Sequence, residues 1–235
     1  MFDPKENLEL IDLFKRLRAS DVRDGMDWVG YHHYGTVHHS IRPLFRPELP
    51  AVGIARTARY VPFEGPVPML THDDYTDWVF MYYDKIAHDP YRGYKINPGD
   101  FLCYDIAGLD VGVLGSNCTL DYAKMGVVGY LTNGGGVRDT DECIIQKINV
   151  WSKFVSQPMN QCRIRYVETD TVIAIGGVAI YPGDIIVADG DGVIVVPRKI
   201  ATDVAKYARK ESNTDKTRRK EQYKELGMKP DDTLK

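Results

Sequence analysis

Residues 126–142 read GVVGYLTNGGGVRDTDE and contain the pattern that decides the fold. An apolar run over residues 127–132 predicts a strand, and the polar segment after the glycines predicts a helix over residues 139–149. Three consecutive glycines let the backbone turn tightly and approach a ligand closely. The order of strand, glycine turn and helix indicates an α/β domain with a candidate site in the turn.

A second predicted helix start precedes this strand, where residues 115–126 read GSNCTLDYAKMG. Ser116 or Asn117 is the predicted N-cap, and Gly126 fits the left-handed position that ends a helix. A helix N-terminus exposes backbone N–H groups and the positive end of the helix dipole, which suits a carboxylate or a phosphate.

Arg138 and Asp139 stand side by side at the later helix start, and their spacing leaves two interpretations open. Asp139 with Glu142 resembles a capping box, in which Arg138 pairs with a nearby acid. Alternatively, Asp139 holds a divalent cation while the guanidinium of Arg138 binds a carboxylate through two donors. A nucleotide loop is excluded, because no Gly-Lys-Ser/Thr follows the glycines and Asp139 replaces the third glycine of a dinucleotide fingerprint.

The rest of the chain predicts one α/β domain with a helical tail. Residues 64–100 are interrupted by prolines, and between them Tyr75, Trp78 and Tyr82 predict a helix with an aromatic face. The other predicted elements are an N-terminal helix, a short helix capped by Ser20, strands near 51–61, 101–104, 111–114, 164–167, 172–175, 185–188 and 193–196, and a last helix from Lys199.

Composition excludes several classes of protein. Lys and Arg total 30 and Asp and Glu 33, so the net charge of −3 argues against binding nucleic acid through charge alone. No stretch approaches the roughly 20 apolar residues of a membrane span, and the N-terminus does not resemble a signal peptide, so a cytoplasmic protein is expected. The four cysteines form no C-x-x-C pair and predict neither a zinc site nor a disulfide framework.

Histidines offer a further candidate metal site. His32-His33 and His38-His39 are six residues apart, a spacing that could gather imidazoles around a transition metal. No Cys or carboxylate stands at ligand spacing, so we interpret them, together with His72 beside Asp73, as loop or interface residues.

Residues 133–139, together with PGDIIVADGDGVIVVP over residues 182–197, resemble the RraA-like family. That family includes the 4-hydroxy-4-methyl-2-oxoglutarate/4-carboxy-4-hydroxy-2-oxoadipate aldolases and a regulator of ribonuclease activity. The resemblance spans roughly residues 10–225; residues 64–100 fit least and are expected to be a family-variable insertion. It implies a swivelling β/β/α-type single domain over residues 1–235, with a central mixed sheet, and a C-terminal helical tail over residues 199–235.

The resemblance also implies roles for the residues at the two helix starts. Asp139 would ligate Mg²⁺ or Mn²⁺, and Arg138 would contact the substrate. The backbone of four residues would receive the carboxylate and keto oxygen of a 2-oxo acid: Gly115, Ser116, Asn117 and Cys118. The family aldolases have an acid where this chain has Ser116 or Asn117, so the general base is not identified. A second acid, from a neighbouring subunit, would correspond to Asp215 or Glu211.

The expected function is a divalent-metal-dependent lyase, an aldolase or an oxaloacetate-type decarboxylase, that releases pyruvate from a 2-oxo acid. Two alternatives remain: a non-catalytic regulator that binds a protein partner, and another metal-dependent lyase or hydratase acting on sugar-acid derivatives. The aromatic residues of segment 75–94 would form a lid for a larger substrate or pack in the core or between subunits.

A first prediction concerns assembly. Short apolar strands and an amphipathic N-terminal helix in a chain of this size suit a trimeric ring with sites between subunits, or a pair of such rings. Light scattering at micromolar concentration should give the mass of three or six chains. A monomer under these conditions would contradict the prediction.

Overall fold

The computed structural model describes residues 2–234, so Met1 and Lys235 of the predicted 1–235 domain lie outside the described residues. Its strands are β1 Arg42–Pro43, β2 Ala51–Pro62, β3 Asp100–Asp105, β4 Gly129–Thr132, β5 Val150–Ser152, β6 Ile164–Thr169, β7 Ile173–Ile175, β8 Val178–Ile180, β9 Ile185–Ala188 and β10 Val193–Val196. The helices are α1 Pro4–Phe14, α2 Ala19–Trp28, α3 His72–Lys85, α4 Ser116–Lys124, α5 Thr140–Ile145 and α6 Ala201–Glu225, with 3₁₀ turns at Arg198–Ile200 and Asp232–Leu234.

A curled mixed sheet forms the centre of the fold, in the order β1-β5-β4-β3-β2-β9-β10, with β6 also paired to β2. Strands β2 to β5 run parallel to one another, whereas β1, β6, β9 and β10 pair antiparallel. The long strand β2 pairs with β9 over its first half and with β6 over its second half. The predicted α/β class, the mixed sheet and the C-terminal helix are confirmed.

Alternating side chains of the strands divide the core between the two faces of the sheet. Leu102 and Tyr104 of β3 belong to the cluster under α3, α4 and α5, while Val52 and Ile54 of β2 pack with α1, α2 and α6. The opposite face carries Phe101, which packs with the hairpin β7–β8 and with Trp151. Helices therefore cover one face and a small hairpin covers the other.

Three local expectations are wrong in detail. Residues 111–114 form an irregular segment with one bridge, from Leu114 to Val137, rather than a strand. The predicted 139–149 helix ends at Ile145, because Lys147 adopts a left-handed φ of 56° and the Lys147 and Ile148 amides cap the last turn. Helix α2 begins at Ala19 rather than after Ser20.

The start of α2 shows why Ser20 is not its N-cap. Arg18 is the N-cap residue, and its backbone N–H donates to the Asp21 carboxylate at 2.9 Å. The Arg18 guanidinium also binds Asp21, at 2.5 Å. Asp21, an acid inside the first turn, therefore stabilises the helix start in place of the hydroxyl of an N-cap serine.

No helix within residues 2–234 is long and apolar enough to cross a membrane.

A buried charge network ties the start of β3 to the turn after β6. The side chain of Arg56 on β2 is only 8% exposed; its guanidinium donates to both Asp170 oxygens at 2.8 Å and to Asp100 at 3.2 Å. Burial raises the pKa of Asp100, and the Asn97 amide and the Arg56 charge oppose that rise. The network joins segments that are far apart in sequence.

Removing Arg56 should therefore destabilise the protein strongly. Arg56→Ala leaves two carboxylates without their cation and should lower the free energy of unfolding by about 3–5 kcal/mol. Arg59, on the same strand, forms an exposed ion pair with Glu168, so Arg59→Ala should cost less than about 1 kcal/mol. Urea denaturation of both variants measures the difference, and equal losses would contradict this account.

Candidate active site

The two predicted helix starts lie side by side at the carboxyl ends of parallel strands. The loop after β3 leads into α4, and the loop after the neighbouring strand β4 leads into α5. The Leu114 amide donates to the Gly136 carbonyl at 2.8 Å, and the Arg138 amide donates to the Leu114 carbonyl at 2.9 Å. The first turn of α4 therefore adjoins Arg138 and Asp139, at the edge where open α/β sheets usually bind ligands.

The three glycines of the turn approach the protein's own chain rather than an open cleft. All three are buried, and the Gly135 and Gly136 amides donate to the carbonyls of Leu109 and Val111. A side chain at Gly135 would collide with Ser156. The expectation that these glycines admit a ligand is wrong, because their small size lets two loops pack together.

Asp139 has an unusual backbone and turns away from its own helix. It adopts a left-handed φ of 57° at the N-cap of α5, and its side chain makes no capping hydrogen bond there. Its Oδ2 instead accepts the Ser116 amide of α4 at 3.3 Å, and its Oδ1 lies 3.4 Å from Arg138 Nε. The capping-box interpretation is therefore wrong, and the carboxylate belongs to the start of α4.

The prediction of Ser116 or Asn117 as the N-cap of α4 is wrong, because Gly115 takes that position with Cys118 as its partner. Gly115 is the N-cap; its amide donates to Cys118 Sγ at 3.0 Å, and the thiol donates back to the Gly115 carbonyl at 3.1 Å. Burial raises the pKa of that thiol. A Cβ at Gly115 would lie 2.6 Å from Asp139 Oδ2, so the absence of a side chain admits the carboxylate.

Arg138 supplies the positive charge of the site. Its aliphatic carbons pack over Gly112, where a Cβ would lie 2.9 Å from Cγ. The side chains of Arg138 and Asp139 are 32% and 35% exposed, so both reach solvent. Within residues 2–234, Arg138 forms its ion pair with Asp139.

The aromatic helix α3 has one residue near this charge. Burial raises the pKa of the Tyr83 phenol, and the Arg138 charge and the Asn160 backbone oppose that rise. The preceding residue, Tyr82, is fully buried, and its hydroxyl donates to the Ile164 carbonyl at 2.5 Å. The predicted aromatic segment thus both packs in the core and places Tyr83 near Arg138. Asn160 lies in a loop that carries no recognisable motif, so sequence reasoning missed it.

A metal at this site would depend on a single carboxylate. Over residues 2–234 no three or more His, Cys, Asp or Glu side chains gather in a way that could hold a metal ion. Mg²⁺ commonly keeps several waters and takes one or two carboxylates, and Asp139 offers one that is open to solvent. The residues present therefore fit a water-rich Mg²⁺ or Mn²⁺ site, not a closed protein cage.

The other candidate residues lie elsewhere. The rings of His38 and His39 stack at 4.0 Å, and His32 lies 3.3 Å from an oxygen of Asp27. Asp215 of α6 pairs with Arg18 at 3.3 Å, within the same chain. These histidines do not join the site at α4.

One family model matches the chain over most of its length. The RraA-like family model, described as Aldolase/RraA, matches residues 19–195. The chain belongs to the RraA-like family. The matched residues include both helix starts and most of the 182–197 segment.

One relative with a named function matches about half of the chain. A Halalkalibacterium halodurans protein named "Putative 4-hydroxy-4-methyl-2-oxoglutarate aldolase" is 28% identical over 126 residues, 53% of this chain and 59% of that protein. The match therefore spans less than two thirds of the relative's length.

Two solved structures share the fold at lower identity. RraAS2 of Streptomyces coelicolor, described as an unusual member of the RNase ES inhibitor RraA family, is 22% identical with a TM-score of 0.69, covering 90% of this chain and 96% of its own. An uncharacterized Pseudomonas syringae protein is 23% identical with a TM-score of 0.70, covering 94% of each chain. At this identity the likeness concerns the fold alone.

The backbone of Asp139 generates a prediction that separates conformation from charge. Asparagine also adopts the left-handed region readily, so Asp139→Asn should lower the free energy of unfolding by no more than about 1 kcal/mol, the usual contribution of a charge at a helix terminus. A β-branched residue is strained there, so Asp139→Val should cost about 1–3 kcal/mol more. Urea denaturation compares them; indistinguishable losses would argue against a left-handed Asp139.

Proposed function

We propose that the protein is a divalent-metal-dependent lyase that cleaves a C–C bond of a 2-oxo acid and releases pyruvate, working as a homotrimer or hexamer. The observation that carries the proposal is the contact of the Asp139 carboxylate with the first turn of α4, beside the exposed guanidinium of Arg138. This arrangement combines a solvent-accessible carboxylate, a guanidinium and helix N–H groups within one small region.

The first turn of α4 is suited to hold the acid end of the substrate. The amides of Ser116, Asn117 and Cys118 are the first of the helix and have no acceptor inside it. Ser116 donates to Asp139, which leaves the next two amides to bind a carboxylate or a keto oxygen. Arg138 adds positive charge where negative charge accumulates as the bond breaks.

Asp139 is the residue that would hold the cation. A bound Mg²⁺ or Mn²⁺ would supply Lewis-acid polarisation of the keto oxygen. Arg138 and the Ser116 amide orient the carboxylate through their contacts with its two oxygens.

The proton acceptor is the role that these residues do not fill. Ser116 and Asn117 are neutral, and burial raises the pKa of the Cys118 thiol, so none of them is a carboxylate base. Glu211 or Asp215 of a neighbouring subunit remains the proposed source of the second acid. This part of the proposal requires the assembled oligomer.

A non-catalytic regulator that binds a protein partner is the competing proposal. One observation favours it: within residues 2–234, no three or more His, Cys, Asp or Glu side chains gather in a way that could hold a metal ion. Pyruvate release separates the two proposals. We would test 4-hydroxy-2-oxo acids, oxaloacetate and sugar-derived 2-oxo acids with Mg²⁺ or Mn²⁺; no pyruvate from any of them would favour the regulator.

Arg138 gives the sharpest test of catalysis. Arg138→Lys keeps the charge but loses the planar pair of donors, so kcat/KM for pyruvate release should fall by about one to two orders of magnitude, equivalent to roughly 1.5–3 kcal/mol. The melting temperature should barely change, because lysine keeps the charge and the aliphatic carbons that pack over Gly112. A clear loss of stability with unaltered kcat/KM would assign Arg138 a structural role instead.

Asp139 gives the test of metal binding. Asp139→Asn should weaken Mn²⁺ binding, measured by calorimetry, by more than about tenfold because it removes the ligand charge. Glu142→Gln is the matched control, since Glu142 is an exposed acid three residues later on α5. Equal Mn²⁺ affinity in Asp139→Asn and in the unchanged protein would remove the proposed ligand.

A further inference from the structure

A cavity of 760 Å³ lies apart from the α4 site, between the start of α1, the segment after α2 and the ends of β8 and β10. It shares no residue with the site formed by Gly115–Cys118, Arg138 and Asp139. Most of its wall is aromatic or proline: Phe2, Tyr31, Tyr34, Tyr181, Pro182 and Pro197. Its size falls within the range of about 300–1,000 Å³ that is typical of small-molecule sites.

The aromatic wall is fixed in place by its own contacts. The Tyr34 hydroxyl donates to the Ala179 carbonyl at 2.5 Å, and the Tyr31 ring meets the Tyr34 ring edge-on at 6.4 Å. Burial raises the pKa of Tyr34 to about 12, so its phenol stays neutral. The two remaining phenols, those of Tyr31 and Tyr181, have no hydrogen-bond partner within residues 2–234.

The buried carboxylate and guanidinium at this cavity are already occupied. Both oxygens of Asp184 accept backbone amides, from Tyr181 at 2.9 Å and from Arg198 at 3.2 Å. The Arg198 guanidinium lies 4.2 Å from the centre of the Phe2 ring, donates to Asn7 at 2.8 Å and pairs with Glu6 at 2.9 Å. These groups close the wall and offer little to a ligand.

Lys199 is different, because its exposed side chain lines the same cavity and has no ion-pair partner in the part of the chain described. A positive charge with no assigned partner therefore stands beside an aromatic wall that has two free phenol donors. Aromatic walls stack flat rings, and an ammonium group attracts an anion.

We propose that this cavity binds a flat aromatic or heteroaromatic molecule that carries an anionic group. The ring stacks on Tyr31 and Tyr181, the free phenol hydroxyls donate to acceptors on the ring, and the anion pairs with Lys199. Nucleoside monophosphates and aromatic carboxylic or sulfonic acids share this chemistry. The proposal is independent of the lyase proposal, since it uses none of the same residues.

Calorimetry on the full chain tests the proposal with two probes, adenosine 5′-monophosphate and 8-anilinonaphthalene-1-sulfonate. One bound molecule per chain of at least one probe is expected, and the probe that binds more tightly distinguishes a nucleotide from an aromatic acid. No binding of either probe would overturn the proposal.

Two variants locate the bound probe. Tyr181→Ala should weaken binding by about five- to a hundredfold, the usual effect of losing a stacked ring. Lys199→Gln should weaken binding of adenosine monophosphate while leaving uncharged adenosine unaffected. Tyr75→Ala, which removes a similarly exposed ring from α3, and Lys229→Gln are the matched controls and should bind as the unchanged protein does.

Thermal unfolding of each variant confirms that it is folded before binding is compared. Probe binding that survives both Tyr181→Ala and Lys199→Gln, in folded protein, would place the ligand elsewhere and overturn the proposal. Pyruvate release is not used as a readout, so failure here leaves the lyase proposal untouched.

Discussion

Two backbone hydrogen bonds, from Leu114 to Gly136 and from Arg138 to Leu114, are the constraint on which the candidate site depends. They join two loops that follow neighbouring parallel strands and so set the start of α4 against Asp139. Two further bonds, from the Gly135 and Gly136 amides to the carbonyls of Leu109 and Val111, join the same loops. The buried glycines that precede Val137 make this close contact sterically possible. The chemistry of the site is thus a product of how the loops pack.

Local sequence predicted the parts of this site that depend on local interactions. The α4 helix and its end at Gly126, which has a φ of 89°, both follow from neighbouring residues. The N-cap residue of α4 was harder to predict from the sequence. The Gly115 amide donates to the thiol of Cys118, whereas N-caps commonly use a side-chain hydroxyl. The direction of the Asp139 side chain depends on a left-handed backbone and on an amide 23 residues away. Such long-range partners leave no periodic signal in a sequence.

The Asp139 carboxylate has two partners within its own chain, the Arg138 guanidinium and the Ser116 amide at the start of α4. Under the lyase proposal, the second acid would come from Glu211 or Asp215 of a neighbouring subunit. The fold was more predictable than the site geometry. Its helices and strands follow from local patterns, whereas the contact of Asp139 with Ser116 joins residues that are far apart in the chain.

The connection that carries α3 is a long crossover between two neighbouring strands of the sheet. β2 and β3 pair directly over six residues, from Ile54 with Asp100 to Arg59 with Asp105, and the Arg56 network secures the same region. Pairing of the two strands therefore does not rest on the connection alone, although Tyr82 and Tyr91 of the connection are buried in the core. Tyr83 comes from the same connection, so a change there alters the surroundings of Arg138 while the two loops that hold Arg138 and Asp139 keep their contact.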